Sequence, residues 1–179
     1  MTFLEKLTPD QRSLIIRLPY RIGLWVSQSD TSGGHEAVES ESQALSNILH
    51  AFAEDVFGSE TLQYIMSETI RQKNEWASWN TQVDLVPGEC GDAITLMREF
   101  GEPKDVKALK NHLMEIAGAV ALAFREEDSS RSFFAALSLY ISHLFSGSRR
   151  KRRRFGDFLN ISTSESEAVG AIADALEMS

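Results

Sequence analysis

Apolar residues recur at the spacing of an α-helix along most of this chain, and that periodicity constrains the fold more than any other feature. Proline, glycine and serine interrupt the apolar stripes at positions typical of helix ends. No segment shows the strict alternation of apolar and polar residues that marks a half-buried strand. The sequence therefore predicts an all-α fold, a single helical bundle of about seven helices.

Capping residues predict where these helices begin. Thr8, Pro9 and Gln11 supply an N-cap, a proline in the first turn and a capping-box glutamine. The third helix is expected to reach Trp76 or Trp79, and the last one to be short. The expected starting points, in chain order, are Pro9, near Val38, after Ser59, Pro87, Pro103, after Ser129 or Ser130, and after Ser164, which has Glu167 three residues further on.

The predicted fifth helix is rich in small side chains near its end. Little side-chain volume there separates its backbone from a neighbour, so another helix can approach closely. We therefore expect this helix to be the central one of the bundle. The small residues concerned are Ala117, Gly118, Ala119, Ala121 and Ala123.

Composition excludes several classes of protein. The only cysteine, Cys90, rules out an intramolecular disulfide and argues against a cysteine-based zinc site. The longest apolar stretch, Ile116 to Phe124, is much shorter than the roughly 20 residues that a membrane span needs. The first residues lack the basic and apolar regions of a signal peptide. These features predict a cytoplasmic protein.

No catalytic arrangement is visible in the sequence. The four histidines His35, His50, His112 and His143 are scattered, and neither a nucleophile motif nor a Gly-rich phosphate loop accompanies them. Cys90 follows Pro87 at a helix start, but no base can be identified beside it. We therefore expect a protein that is not an enzyme.

An acidic segment separates the first two predicted helices. Asp30, His35, Glu36, Glu39 and Glu41 offer carboxylate oxygens and one imidazole, and Gly33-Gly34 would let the loop fold round a cation. Calcium or magnesium would use the oxygens, whereas zinc would use His35 with carboxylates. In the other interpretation, Asp30 ends one helix and the glutamates stabilise the positive N-terminus of the next. The residues alone leave both interpretations open.

A second acidic segment, Glu126-Glu127-Asp128, stands before the predicted sixth helix and repeats this arrangement. If the two halves pack round a pseudo-twofold axis, both segments lie at one end of the bundle and can form a joint site. Simple helix capping is again the alternative. The matching apolar residues, at a constant offset, are Leu45, Ile48, Leu49, Phe52, Ala53 and Val56 against Phe133, Ala136, Leu137, Tyr140, Ile141 and Leu144.

A run of six bases interrupts an otherwise acidic chain of net charge −8. The acidic body disfavours broad nucleic-acid binding. The run is either solvated or contacts an anionic membrane, an acidic partner or the protein's own acidic surface. We expect residues 1–147 to form the bundle and residues 148–179 to form a basic linker and a short amphipathic helix containing Val169, Ile172 and Leu176. The six bases are Arg149, Arg150, Lys151, Arg152, Arg153 and Arg154.

Three segments resemble the TerB-like, tellurite-resistance class of bacterial helical domains. They are Leu18 to Asp30, then Glu41 four residues before Leu45, and Ile116 to Asp128. The likeness spans residues 8–146. It implies an all-α bundle with an acidic cation site and a role in stress response or near the membrane surface.

The resemblance also implies which residues form that site. Asp30 and Glu41 match the first acidic pair of the class, and Glu127 or Asp128 matches the second turn. The chain departs from the pattern at Thr31, where glycine commonly follows the aspartate. Ser129 likewise stands where the repeat would place a counterpart of Glu41.

Two functions follow as expectations. The first is a non-enzymatic TerB-like protein with a weak divalent-cation site at Asp30, Glu41, Glu127 and Asp128, to which His35 and Glu36 can add. The second is a helical protein-interaction or membrane-peripheral module that uses the basic run and no metal. The partner would be an unidentified protein or an anionic membrane surface, and a homo-oligomer stays open.

Overall fold

The computed structural model describes residues 3–29, 35–54, 59–123 and 161–178, with side chains described from residue 42 in the second helix and up to residue 177 in the last. Within these ranges the protein is helical and has no strand, which confirms the all-α prediction. The predicted helix after Ser129 or Ser130, and with it the proposed repeat, lies outside the described residues. The six described α-helices are α1 (Pro9–Ser27), α2 (His35–Glu54), α3 (Glu60–Arg71), α4 (Val86–Phe100), α5 (Pro103–Ala123) and α6 (Thr163–Met178).

Side-chain caps are present at the starts of three of the six described helices, α1, α3 and α6. The Gln11 amide donates to Thr8 Oγ1 at 3.3 Å while the Thr8 amide donates to Gln11 Oε1 at 3.0 Å, so the predicted capping box forms. The Ser59 hydroxyl accepts from the Leu62 amide at 3.1 Å and caps α3. Gly101 follows α4, as predicted.

Three helix boundaries differ from the prediction. The second helix begins at His35, three residues before the expected start near Val38. The third helix ends at Arg71, and both Trp76 and Trp79 belong to a segment of short 3-10 turns between α3 and α4. Both indoles are buried there and pack against the ring of Tyr20 in α1.

The cap of α6 also differs. Its capping box is formed by Ser162 and Glu165, two residues earlier than the predicted pair of Ser164 and Glu167. Both pairs fit the same sequence pattern, and the structure forms the earlier one, directly after the buried Ile161. With 16 residues, α6 is not a short helix.

The predicted central helix shares the centre of the described bundle with α1. Among the described helices, both α5 and α1 pack against each of the other five. A Cβ atom built on Gly23 of α1 would lie 2.2 Å from Leu45 Cδ1 of α2 and 3.4 Å from Val120 Cγ2 of α5. Gly23 therefore allows α1, α2 and α5 to meet closely at one point.

The last helix contributes to the same core. Val169, Ile172 and Leu176 are fully buried, and α6 packs against α1, α4 and α5. The sequence predicts that this helix belongs to residues 148–179, apart from the bundle. The structure instead gives its apolar face to the bundle core, because burying that face against three helices removes it from water.

Candidate functional site: one end of the bundle and a buried ion-pair network

The two predicted acidic segments adjoin helix ends in the sequence. Contacts between the helices show where those helix ends lie relative to one another. Gly23 faces Val120 and Leu45, so the later parts of α1 and α5 lie beside each other. The Phe52 ring of α2 packs edge-on against the His112 ring of α5, with 5.3 Å between ring centroids. Since Leu45 meets Val120 while Phe52 meets His112, α2 runs antiparallel to α5.

The start of α6 lies at this same end. The Trp25 indole nitrogen donates to the carbonyl oxygen of Ala168 over 3.2 Å. Four helix ends therefore face one way, and we call this region the convergent end of the bundle. It is defined by the last turn of α1 at Ser27, the first turn of α2 at His35, the described end of α5 at Ala123 and the first turn of α6 at Thr163.

In the sequence, the predicted metal-site residues lie next to or within the first turns of the helix ends that form the convergent end. Asp30 comes directly after Ser29, the last described residue beyond α1. His35, Glu36 and Glu41 belong to the first two turns of α2. Asp30, Glu127 and Asp128 lie outside the described residues, and the side chains of the three α2 residues do too. In the ranges that the structure describes, no three or more histidine, cysteine or acidic residues form a group able to hold a metal ion.

The six bases Arg149 to Arg154 also lie outside the described residues. The chain leaves the described structure after Ala123 and returns to it at Ile161, both at the convergent end. Within the described ranges, no helix combines the length and hydropathy needed to cross a membrane.

The structure shows a buried ionic network that the sequence analysis missed. Arg21 of α1 is almost completely buried, and its Nε donates to Glu89 Oε2 of α4 at 2.6 Å. Glu89 Oε1 accepts a second bond from Arg17 at 2.8 Å. The signal was available in the sequence, because Arg17 and Arg21 stand one helical turn apart within an apolar stripe.

The same arginine fixes the segment of 3-10 turns between α3 and α4. The Arg21 guanidinium donates to the carbonyl oxygens of Trp79, Thr81 and Gln82, the last two over 2.7 Å and 2.9 Å. A buried charge is stable only when its donors are satisfied, and these carbonyls together with Glu89 supply the acceptors. The network therefore joins α1, α4 and the intervening turns.

Tyr20, the residue before Arg21 in α1, also contacts the segment of 3-10 turns. Its ring stacks on Trp76 with 4.6 Å between centroids, and its hydroxyl donates to Asn80 Oδ1 at 2.7 Å. Burial raises the pKa of the Tyr20 phenol, and the hydrogen bond with Asn80 partly offsets this rise. The arrangement holds structure in place and presents no nucleophile.

Two further residues with reactive side chains are buried. Burial raises the pKa of the Cys90 thiol, and the neighbouring Glu89 charge raises it further. The thiolate is therefore disfavoured, which agrees with the sequence interpretation of Cys90 as a residue with no base beside it. The buried Nε2 of His112 has no hydrogen-bond partner in the described part of the protein.

A polar cleft of about 870 Å³ lies at the end of the bundle opposite the convergent end. At its base the Asp105 carboxylate accepts hydrogen bonds from Ser59 at 2.8 Å and from Thr61 at 3.1 Å. These bonds tie the first turn of α3 to the first turn of α5.

Comparison with known proteins returns no family model, no curated protein and no solved structure that matches the chain. The TerB-like resemblance therefore stays an expectation from the sequence.

Proposed function

We propose that this protein is a non-enzymatic, TerB-like helical protein that binds a divalent cation weakly at the convergent end of its bundle. The site would use Asp30 and Glu41 together with Glu127 and Asp128, and His35 and Glu36 would add to it. The observation that supports the proposal is the convergence of four helix ends, because both acidic segments adjoin these ends in the sequence.

The helices supply a firm base for such a site. Gly23, Leu45 and Val120 meet one another below the convergent end and are all buried. A packed core fixes the helix ends to which the acidic segments are attached, and this would lower the entropy cost of binding a cation there.

The charges favour a hard cation. Carboxylate oxygens are the ligands that calcium and magnesium prefer, and His35 with carboxylates suits zinc. The last turn of α1 presents carbonyl oxygens at the negative end of its helix dipole, which also favours a cation nearby. The N-terminus of α2 acts in the opposite sense, since it stabilises its own glutamates without any metal.

Titration calorimetry with calcium, magnesium, zinc and manganese tests the proposal. We expect heat from the wild-type protein at millimolar metal, and no heat when Asp30→Ala and Glu41→Ala are combined. The matched control combines Glu54→Ala and Glu99→Ala, which removes the same charge from two exposed positions in the last turns of α2 and α4. Equal loss of heat in both double variants would reduce the effect to general electrostatics, and absence of heat from the wild type would leave the acids as helix caps.

A second pair of variants tests whether the two acidic segments form one site. If they do, combining Glu127→Ala with Asp128→Ala weakens binding as much as the change at Asp30 and Glu41 does. If only the first segment binds, the affinity of this second variant equals that of the wild type, and the joint site is rejected.

The competing function is contact of Arg149 to Arg154 with an anionic membrane or an acidic partner. The buried face of α6 bears on it, because Val169, Ile172 and Leu176 are taken up by the core and cannot also enter a membrane. Any membrane contact would then be electrostatic, with each exposed base contributing on the order of 1 kcal/mol. Cosedimentation with anionic vesicles at low and high salt measures it, and binding that survives replacement of all six bases by alanine would contradict it.

A further inference from the structure

We draw no further inference here: the strongest candidate, the polar cleft between the first turn of α3 and the turn that joins α4 to α5, is lined by lysines and carboxylates together and has its buried Asp105 already bonded to Ser59 and Thr61, so nothing in the structure shows what would occupy it.

Discussion

At the scale of single residues, the described structure is governed by buried polar groups that find partners far away in the sequence. Arg21 and Glu89 are 68 residues apart and form a 2.6 Å ion pair inside the protein. Such a pair contributes little over an apolar pair of equal size, but removing one member leaves the other charge buried without compensation. Removing one member of this pair should therefore lower the free energy of unfolding.

We expect Glu89→Ala to lower the free energy of unfolding by about 3 kcal/mol, because Arg21 loses its only carboxylate in the described network. Urea denaturation monitored by tryptophan fluorescence measures the change. Glu99→Ala on the exposed face of the same helix is the control and should shift the free energy by less than about 0.5 kcal/mol. Similar effects of the two substitutions would show that the buried pair is not important for stability.

We expect the Cys90 thiol to make the free energy of unfolding depend on pH in the alkaline range. Its pKa is raised in the folded protein, so above the unfolded value of about 8.5 the unfolded chain loses a proton that the native chain keeps. The unfolded state then binds fewer protons, and the free energy of unfolding falls as pH rises, by as much as about 1.4 kcal/mol per pH unit.

Denaturation of the wild type and of Cys90→Ala at pH 8 and pH 9.5 tests this effect of the thiol. The wild type should lose more stability than the variant between these two values, since the variant has no thiol to titrate. An identical loss in both proteins would contradict the effect. In the native protein the thiol should also resist alkylation until the chain unfolds.

At the scale of the helices, capping and packing share control of where each element begins. Thr8 and Ser59 were identified from the sequence because each is the best cap in its neighbourhood. Near α6 two Ser-x-x-Glu patterns overlap, and local chemistry does not separate them. The structure forms the box at Ser162, which directly follows the buried Ile161.

Alanine substitution at the two serines distinguishes these caps. Ser162→Ala should destabilise the protein by about 1 kcal/mol, because the Glu165 amide loses its acceptor. Ser164→Ala should have little effect or stabilise slightly, since the exposed Ser164 lies inside the first turn. Thermal unfolding followed by circular dichroism measures both, and the reverse order would restore the later start of α6.

At the scale of the whole molecule, α6 packs against helices that are distant in the sequence and shares one core with them. Trp25 bonds to the backbone of α6, and the apolar residues of α6 belong to the same buried cluster as those of α1 and α5. The cooperative unit therefore includes the last helix as well as the first.

We expect Ile172→Ala to cost about 2 to 5 kcal/mol, the usual range for a cavity in a well-packed core. Urea transitions seen by tryptophan fluorescence and by circular dichroism should move together to lower urea concentration. Glu167→Ala, an exposed position on the same helix, is the control and should leave both transitions in place. If only the circular dichroism transition moved, α6 would be unfolding separately from the bundle.

The sequence by itself determined the helical class, the starts of α1, α3, α4 and α5, and the central place of α5. These depend on caps and periodicity that act within one or two turns, and on small side chains that let any neighbour approach. It also singled out the acidic residues and the basic run, whose function stays a prediction because their side chains lie outside the described structure.

Only the tertiary structure decided that Arg21 is buried beside Glu89, that Ser162 rather than Ser164 begins α6, and that α6 completes the core. It alone brought the ends of α1, α2, α5 and α6 together. The physical reason is that each of these features is set by packing between segments that are remote in the chain. Local helix propensity does not specify which remote segment packs against a helix. Burial of apolar surface against that segment selects one arrangement.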